Sequence, residues 1–307
     1  MPSCAPRAFP LLLCARAAAL TARQASPPRW APASASAQPP PPALLTFDCT
    51  GTLFVPRLSV GALYKAALVD AAAAGPHAAA AGALDPDALS RAFGEAYAQA
   101  ERVWPCFGAG ALPSAEWWRQ VVRQTFERAG APVATLEALL PEAFDALYHR
   151  VFVSTESWRL TEGAEETLRA LSEWRQAQPE GERMAVGVIS NWDERLPTLL
   201  EELGIAQHMD VVITSRQASV EKPSADIFQR ARAAAGVAAD ARAVHVGDSF
   251  SKDVVGAAGA NWEALHLISQ RQLDQCSASE LARMDSIPHK RIFSLLELPQ
   301  ALGLELA

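Results

Sequence analysis

The regular alternation of helical and short apolar segments between residues 158 and 268 constrains the fold more than any other feature of this chain. Helical periodicity predicts helices over residues 164–174, 194–203, 225–235 and 252–258. Short apolar runs between and after them predict strands over residues 184–189, 210–214, 243–246 and 262–268. This alternation indicates an α/β fold, with a parallel sheet covered by helices on both faces. The apolar run over residues 43–47 is expected to join the same sheet.

A helical insertion separates that first strand from the rest of the sheet. Amphipathic periodicity predicts four helices: over residues 61–74, from Asp85 to about 102, from Ser114 onward, and from Pro141 onward. Four such helices without a strand between them indicate a small helical bundle. In this pattern Trp118 belongs to the core of the bundle, while Trp117 is the residue that could face a substrate. We therefore divide the chain into an α/β core (residues 43–58 and 158–307) and an inserted helical domain (residues 59–157).

Residues 1–42 differ in kind from the rest of the chain. They contain no Asp or Glu, and they carry Arg7, Arg16, Arg23 and Arg29 among many Ala, Ser and Pro residues. This composition is typical of an organelle transit peptide, so we expect a disordered N-terminal segment that directs the protein to a plastid or a mitochondrion. A secretory signal and a tail without a message are the alternatives.

Composition excludes several classes of function. The net charge of −7 provides no basic surplus for nucleic-acid binding. No apolar stretch reaches the roughly 18 residues that a membrane span needs, so we expect a soluble protein without membrane partners. The five cysteines are scattered and form no CxxC pair, which argues against a disulfide framework and a zinc site and favours reduced thiols.

Polar side chains follow four of the predicted strands or the loops beside them. In a parallel sheet, ligands bind beyond the carboxyl ends of the strands, so these side chains are expected to converge on one pocket. The candidate residues are Asp48, Thr50, Gly51 and Thr52 after the first strand, Ser190 and Asn191 after the next, Lys222 in a later loop, and Asp248 and Asp253 after the strand at 243–246.

This set of residues suits metal-assisted phosphoryl transfer. Mg²⁺ prefers carboxylate oxygens, so Asp48 and Asp248 are its predicted ligands, with Asp253 as a third ligand or as a group that holds bound water. Asp48 is the predicted nucleophile, which would form an aspartyl-phosphate. We expect phosphate to be bound by Ser190, Asn191, Lys222 and Gly51, and we count Ser190, Lys222 and Thr52 with Asp48 as catalytic residues.

In their order and spacing, these residues resemble the motifs of the haloacid dehalogenase-like hydrolase superfamily. Its first motif, D-x-D-G-T, matches Asp48 to Thr52 except at Thr50, and Ser190, Lys222 and the pair Asp248 and Asp253 match the other three motifs. The resemblance implies a Rossmann-like core, a Mg²⁺-dependent aspartyl nucleophile and, from the position of the insertion, a helical cap. It also implies that the backbone carbonyl oxygen of Thr50 is a Mg²⁺ ligand. Segments such as Glu116-Trp117-Trp118 and the run from Ala185 to Asp193 also resemble one subgroup, which likewise lacks the second carboxylate of the first motif.

The missing carboxylate limits what can be predicted about turnover. In the superfamily it is the group that protonates the leaving alcohol and then activates water, and a Thr hydroxyl does neither near neutral pH. We expect a slow or selective phosphatase of a small phosphorylated metabolite, with a catalytically inactive binding or scaffold protein as the alternative. Dehalogenases of the superfamily carry an aromatic residue at position 50 and do not need the acidic pair, so dehalogenation is disfavoured. The sequence does not identify the oligomeric state.

Overall fold

The computed structural model describes residues 40–305 of the chain. The expected transit peptide therefore lies outside the described residues, apart from positions 40–42. Among residues 40–305, no helix is long and apolar enough to cross a bilayer.

A six-stranded, all-parallel sheet forms the centre of the α/β core, in the order β5-β4-β1-β6-β7-β8. A separate antiparallel pair is formed by β2 and β3. The strands are β1 Leu44–Phe47, β2 Phe54–Pro56, β3 Trp158–Leu160, β4 Ala185–Ser190, β5 Val211–Thr214, β6 Ala243–Gly247, β7 Glu263–Leu267 and β8 Lys290–Ile292. The predicted parallel sheet is confirmed, and the four later strands that the sequence predicts agree with β4 to β7 to within about a residue at each end.

The position of β1 determines where a ligand can bind. All four of its residues are buried, because β4 and β6 pair with its two edges and apolar cores cover both of its faces. The chain builds the sheet outward from β1 in one direction through β4 and β5, and then in the other through β6, β7 and β8. The carboxyl ends of β4, β1 and β6 consequently border the crevice where the strand order reverses, which is the usual ligand site of such sheets.

The segment between β2 and β3 forms the inserted domain. Its helices are α1 Val60–Ala72, α2 Ala78–Gly82, α3 Pro86–Val103, α5 Ser114–Arg128 and α6 Val133–His149. The element α4 Pro105–Gly108 is a single turn in which Cys106 and Phe107 have left-handed φ values, and a 3₁₀ turn, Val151–Val153, follows α6. The four longer helices, α1, α3, α5 and α6, share one apolar core that includes Leu68, Leu89, Phe126 and Leu147. The Asp85 carboxylate begins α3 by accepting a hydrogen bond from the backbone N–H of Ala88, as the Asp-Pro pattern predicts.

The remaining α-helices belong to the α/β core. They are α7 Ala164–Gln176, α8 Leu196–Glu202, α9 Ser215–Ala218, α10 Ala225–Ala234, α11 Val255–Gly259, α12 Gln270–Gln275, α13 Ala278–Asp285 and α14 Leu298–Leu302. Helices α7, α8 and α14 share a core with Leu45 of β1, whereas α10 and α11 share a core with Leu44. Because neighbouring residues of a strand point to opposite faces, these two cores lie on opposite sides of the sheet.

The inserted domain is connected to the core by the two-stranded ribbon of β2 and β3. Phe54 pairs with Leu160 and Pro56 with Trp158. The backbone N–H of Arg57 donates to the carbonyl oxygen of Ser157 at 2.7 Å, so the outgoing and returning chains remain side by side beyond the ribbon. Strands β2, β3 and β8 are three residues each, too short for the alternation of side chains to reveal them in the sequence.

Two predictions for the inserted helices are wrong. The last of them begins at Val133, not at Pro141, because Pro132 already provides the extended residue before the helix, and Pro141 lies inside it. The two tryptophans also exchange their predicted roles, since Trp117 is the buried one and Trp118 lines a cavity. The stripe of buried residues on α5 therefore includes Trp117 in place of Trp118.

We predict that Pro141→Ala stabilises the protein. Proline in a helix interior removes one hydrogen bond and crowds the preceding turn, which disfavours it by about 3 kcal/mol relative to alanine. Position 141 is exposed, so the substitution leaves no cavity in the core. The free energy of unfolding should rise by about 1–3 kcal/mol, measured by urea denaturation. Glu142→Ala, at the next exposed position, should change it by less than about 0.5 kcal/mol. A destabilised Pro141→Ala variant would show that the packing of α6 depends on the proline.

Candidate active site

The Lys222 ammonium lies between two carboxylates at the carboxyl edge of the sheet. Its Nζ donates to Oδ1 of Asp48 at 2.7 Å and to Oδ1 of Asp253 at 2.7 Å. Burial by itself would lower the pKa of Lys222, but the two carboxylates outweigh it and hold the pKa above its usual value. Lys222 is therefore a fixed cation, and it fixes the Asp48 carboxylate that follows β1.

Ser190 and Asn191, at the end of β4, hold Asp48 and Lys222 in place. The Ser190 hydroxyl donates to Oδ1 of Asp48 at 2.9 Å, the same oxygen that Lys222 contacts. Asn191 binds the backbone of Lys222 twice: its Nδ2 donates to the carbonyl oxygen, and its Oδ1 accepts from the N–H. Its amide is thus occupied in positioning Lys222, and the predicted contact of Asn191 with phosphate stays a prediction.

Asp248 completes the group of carboxylates. One oxygen from each of Asp48, Asp248 and Asp253 lies within 4.8 Å of the others. Burial and the nearby charges of Asp48 and Asp253 raise the pKa of Asp248 to about 6. The hydroxyl of Thr52 approaches Oδ1 of Asp248 at 3.5 Å, which is a weak contact. The three carboxylates therefore repel one another, and Lys222 compensates only part of their charge.

Gly51 permits the close approach of the first loop to Asp248. Its φ is +88°, and a Cβ built there would lie 2.4 Å from Oδ2 of Asp248. Any other residue would therefore be strained and would displace that carboxylate.

Asp253 is the most deeply held of the three carboxylates. Besides Lys222, it accepts from the backbone N–H of Ser249 at 2.9 Å and lies 3.2 Å from Nε2 of His245. Burial would raise the pKa of Asp253, but Lys222 and His245 outweigh it and lower the pKa below its usual value. A π-helix over Phe250–Val254 brings Asp253 back towards the end of β6.

His245 is a buried histidine of β6. Its Nδ1 lies 2.8 Å from Oγ1 of Thr46, on the facing strand β1. Burial lowers the pKa of His245, which favours the neutral ring. A proton on Nε2 then satisfies both neighbours, because Nε2 donates to Asp253 and Nδ1 accepts from Thr46. His245 thus supports the carboxylate cluster from within the sheet.

Thr50 lies in a tight turn directly after the nucleophile candidate. The backbone N–H groups of Thr52, Leu53 and Phe54 all donate to the carbonyl oxygen of Cys49, and this turn leaves Thr50 exposed. Cys49 itself is fully buried, and burial followed by the charge of Asp48 raises the pKa of its thiol well above the usual value. A buried, protonated thiol is unreactive, which argues against a redox role.

The carboxylate cluster fits a divalent cation. Three carboxylates and one ammonium leave two net negative charges in a small volume, and oxygen is the ligand that Mg²⁺ prefers. The backbone carbonyl oxygen of Thr50 accepts no backbone hydrogen bond among the described residues, so it is free to act as a further ligand.

The segment after β4 also connects the core to the inserted domain. Asp193 is fully buried and accepts two hydrogen bonds from the guanidinium of Arg195, at 2.9 and 2.6 Å. The indole Nε1 of Trp118 donates to the same carboxylate at 2.6 Å, and Arg195 stacks on Tyr148 at 3.9 Å from the ring centre. Ser114 donates to the carboxylate of Glu194. Residues 192–195 therefore form a platform on which α5 and α6 rest.

The sequence analysis did not predict this platform. Each of its residues is ordinary for a loop, and only the adjacency of Ser190-Asn191 to Trp192-Asp193 could have drawn attention to it. The segment faces a cavity of about 250 Å³ between the platform and the helices of the inserted domain, and the cavity also reaches Thr50 and Asn191. The carboxyl end of β4 therefore contributes to the carboxylate cluster and to the wall of this cavity.

Comparisons with known proteins agree with this architecture. The family model of haloacid dehalogenase-like hydrolases matches residues 42–261. The Bos taurus haloacid dehalogenase-like hydrolase domain-containing protein 3 is 35% identical, over 84% of this chain and 93% of its own length. The Drosophila melanogaster Rhythmically expressed gene 2 protein is 30% identical, over 72% of this chain and 81% of its own length.

Among solved structures, a 2-haloacid dehalogenase from Pseudomonas syringae pv. Tomato shares the fold. It matches with a TM-score of 0.56 and 24% identity, over 85% of this chain and 97% of its own. The likeness supports the α/β core with a helical insertion, and the resemblance of the sequence motifs to one subgroup is confirmed by the relative from Bos taurus. The inserted helices can accordingly be called a cap, and this chain belongs to the haloacid dehalogenase-like hydrolase family.

Proposed function

We propose that this hydrolase is a Mg²⁺-dependent phosphatase that acts on a small phosphorylated metabolite through an aspartyl-phosphate on Asp48. The observation that carries the proposal is the Asp48 carboxylate, held by Lys222 and Ser190 beside two further carboxylates. A carboxylate oriented by a permanent cation at a strand end is suited to attack phosphorus.

The first chemical step forms a bond between an Asp48 carboxylate oxygen and phosphorus. The bond between phosphorus and the leaving oxygen breaks, and the leaving group departs with that electron pair. Water then attacks the phosphorus of the aspartyl-phosphate and the bond to Asp48 breaks with its electron pair. The carboxylate is regenerated, and the protons of the water remain on the inorganic phosphate that is released. The ammonium of Lys222, beside Asp48, stabilises the negative charge of the transferring phosphoryl group, and Ser190 maintains the orientation of the nucleophile.

Asp48, Asp248 and the carbonyl oxygen of Thr50 would hold Mg²⁺, with Asp253 as a direct ligand or behind bound water. When bound, the ion neutralises negative charge shared by the phosphate and the carboxylates. Asp253 already accepts hydrogen bonds from Lys222 and Ser249, so it also keeps the cluster in place without an ion. Gly51 keeps the first loop close to Asp248.

Thr50 determines which leaving groups can depart. General acid–base catalysis contributes typically about 10²–10⁴-fold to a rate, and a Thr hydroxyl does not supply it near neutral pH. Phosphate monoester hydrolysis can be accelerated by up to ~10²¹-fold, so losing this contribution slows turnover without abolishing it. We propose that the enzyme acts best on substrates whose leaving group needs no proton, such as acyl and aryl phosphates.

A binding or scaffold protein without turnover is the alternative, and Thr50 is the observation that favours it. Dehalogenation is the other activity that the name of the family suggests. The acidic pair of Asp248 and Asp253 argues against it, because a halide leaving group carries no phosphate whose charge a cation must offset.

We predict that the described carboxylates bind Mg²⁺. Binding to the native state alone should stabilise the protein by about 2.7 kcal/mol when the free ion exceeds its Kd by 100-fold. The thermal unfolding midpoint of the wild type should therefore rise with Mg²⁺, and that of Asp248→Asn should rise much less. Asp274→Asn, which alters an exposed carboxylate outside the cluster, should respond as the wild type does. Equal responses of all three proteins would contradict the metal site.

We predict phosphate release that depends on Asp48. Acetyl phosphate and p-nitrophenyl phosphate have leaving groups that need little protonation, so Thr50 should not prevent their hydrolysis. Release from both should require Mg²⁺ and fall to background in Asp48→Asn, while Asp274→Asn keeps the wild-type rate. Acid-quenched wild type should contain a phosphorylated protein by mass spectrometry. A folded wild type that binds Mg²⁺ and releases no phosphate would support the scaffold alternative.

Replacing Thr50 tests the missing proton donor. Thr50→Asp should raise kcat for an alkyl phosphate such as glycerol 3-phosphate by up to about 10²–10⁴-fold, because a carboxyl group restores general acid–base catalysis. The rate for acetyl phosphate should rise far less, since acetate leaves without a proton. Thr50→Asn is the matched control, because it has the same shape without a titratable group. An equal gain in Thr50→Asn would mean that shape, and not proton transfer, limits the rate.

A further inference from the structure

The cavity between the platform and the cap reaches the loops that carry Asp48 and Ser190. Thr50, two residues after Asp48, and Asn191, directly after Ser190, lie on its wall, and the cavity extends from them towards α1, α3, α5 and α6. Its volume of about 250 Å³ lies just below the ~300–1,000 Å³ typical of pockets for drug-sized ligands. A group attached to a phosphate on Asp48 would enter this cavity, which has room for about one or two fused rings.

The wall of this cavity is aromatic. Rings from the cap and the core meet around it, and they include Tyr64, Phe93, Trp118, Phe152, Trp158 and Trp192. Phe93 stacks on Trp118 with an angle of 10° between the ring planes, and Trp158 lies 5.4 Å from Trp192. Such walls bind flat apolar groups and leave the hydroxyls of a sugar without partners.

The charged residues of the wall are already paired with each other. Asp193 and Arg195 are its two charged members, and the guanidinium donates twice to the carboxylate. Trp118 Nε1 donates to that carboxylate as well, and the face of Arg195 is covered by Tyr148. Neither charge is therefore free to bind a charged leaving group.

Phe107 is held at the cavity wall by a strained backbone. Cys106 and Phe107 have φ values of +51° and +56°, a left-handed conformation that disfavours non-glycine residues by about 1–2 kcal/mol each. The guanidinium of Arg216, in the core, donates to the carbonyl oxygen of Phe107 at 2.9 Å. This contact between core and cap compensates for the strain and also fixes the ring of Phe107. Strained residues of this kind are concentrated at ligand sites.

We infer that the substrate is a monoester of phosphate with a small uncharged phenol, an aryl phosphate. The inference rests on the proposed function and restricts it to one substrate class. The aromatic cavity accepts the ring while Asp48 attacks the phosphorus, and the phenolate leaves with the electron pair of the broken P–O bond.

The residue at position 50 supports the same substrate class independently. A phenol has a pKa of about 10. The pKa of water is near 15.7, and that of a simple alcohol is similar. A phenolate therefore departs without a proton donor far more readily than an alkoxide, so an aryl leaving group suits a site that has Thr50 in place of a carboxylate.

The test compares three phosphates with the same protein. The wild type should hydrolyse 1-naphthyl phosphate with a kcat/KM at least about 10²-fold above that for ribose 5-phosphate, whose hydroxyls would lose hydrogen bonds in the cavity. Acetyl phosphate, which places no ring in the cavity, reports on the phosphoryl-transfer machinery alone. Phe93→Leu should lower kcat/KM for 1-naphthyl phosphate by about three- to tenfold, because an aromatic contact is lost, and leave acetyl phosphate within about twofold.

Controls separate the cavity from the rest of the protein. Phe293→Leu removes an exposed ring outside the cavity and should change neither rate. Should Phe93→Leu fail to fold, Phe152→Leu removes another ring of the wall. The inference would be overturned if kcat/KM were equal for 1-naphthyl phosphate and ribose 5-phosphate. It would also be overturned if the wall variants affected the hydrolysis of acetyl phosphate and of naphthyl phosphate equally. In either case, hydrolysis of acetyl phosphate would still uphold the proposed function.

A binding measurement keeps the two proposals apart if no phosphate is released. The Asp48→Asn variant with Mg²⁺ should show quenching of the fluorescence of Trp118, Trp158 and Trp192 as 1-naphthyl phosphate is added. Phe93→Leu and Phe293→Leu are both made in the Asp48→Asn protein. Quenching that is weaker in Phe93→Leu but not in Phe293→Leu would support binding of the aryl group in the cavity, even where turnover fails. No saturable quenching would overturn it.

Discussion

The ion pair of Lys222 with Asp48 and Asp253 is the interaction on which the rest of the site depends. A buried ammonium without partners would lose its proton or destabilise the fold, so the two carboxylates and the lysine must fold together. Their contacts bring together the end of β1, the loop before α10 and the π-helix after β6. Asn191 from β4 then fixes the backbone of Lys222, so four separate segments of the chain meet at one charge.

The carboxyl end of β4 connects this charge cluster to the cap. Ser190 and Asn191 hold the Asp48 carboxylate and the backbone of Lys222, and within the next four residues Asp193 and Arg195 hold Trp118 and Tyr148. A buried strand therefore sets the distance between the Asp48 carboxylate and the wall of the cavity. This arrangement makes the position of the cap part of the geometry of the site.

The α/β core could be predicted from the sequence because its periodicity is long and its strand ends carry distinctive residues. Asp48, Ser190, Lys222, Asp248 and Asp253 are predictable together because parallel strands bring their ends to one edge. The cap was less predictable. Pro141 suggested a helix start although Pro132 had already provided one, and Trp117 and Trp118 are adjacent on a helix whose orientation depends on contacts with Asp193. Such long-range contacts leave no local pattern, and the same holds for His245 supporting Asp253.

The ribbon of β2 and β3 has a consequence for how such a protein can diversify. Residues 58–156 leave the core after Arg57 and rejoin it at Ser157. A backbone hydrogen bond already connects these two residues. Exchange of that whole segment by recombination would break none of the hydrogen bonds of the six-stranded sheet. A different cavity beside Asp48 can therefore arise by replacing one contiguous segment of the coding sequence, provided that the new helices pack on residues 192–195.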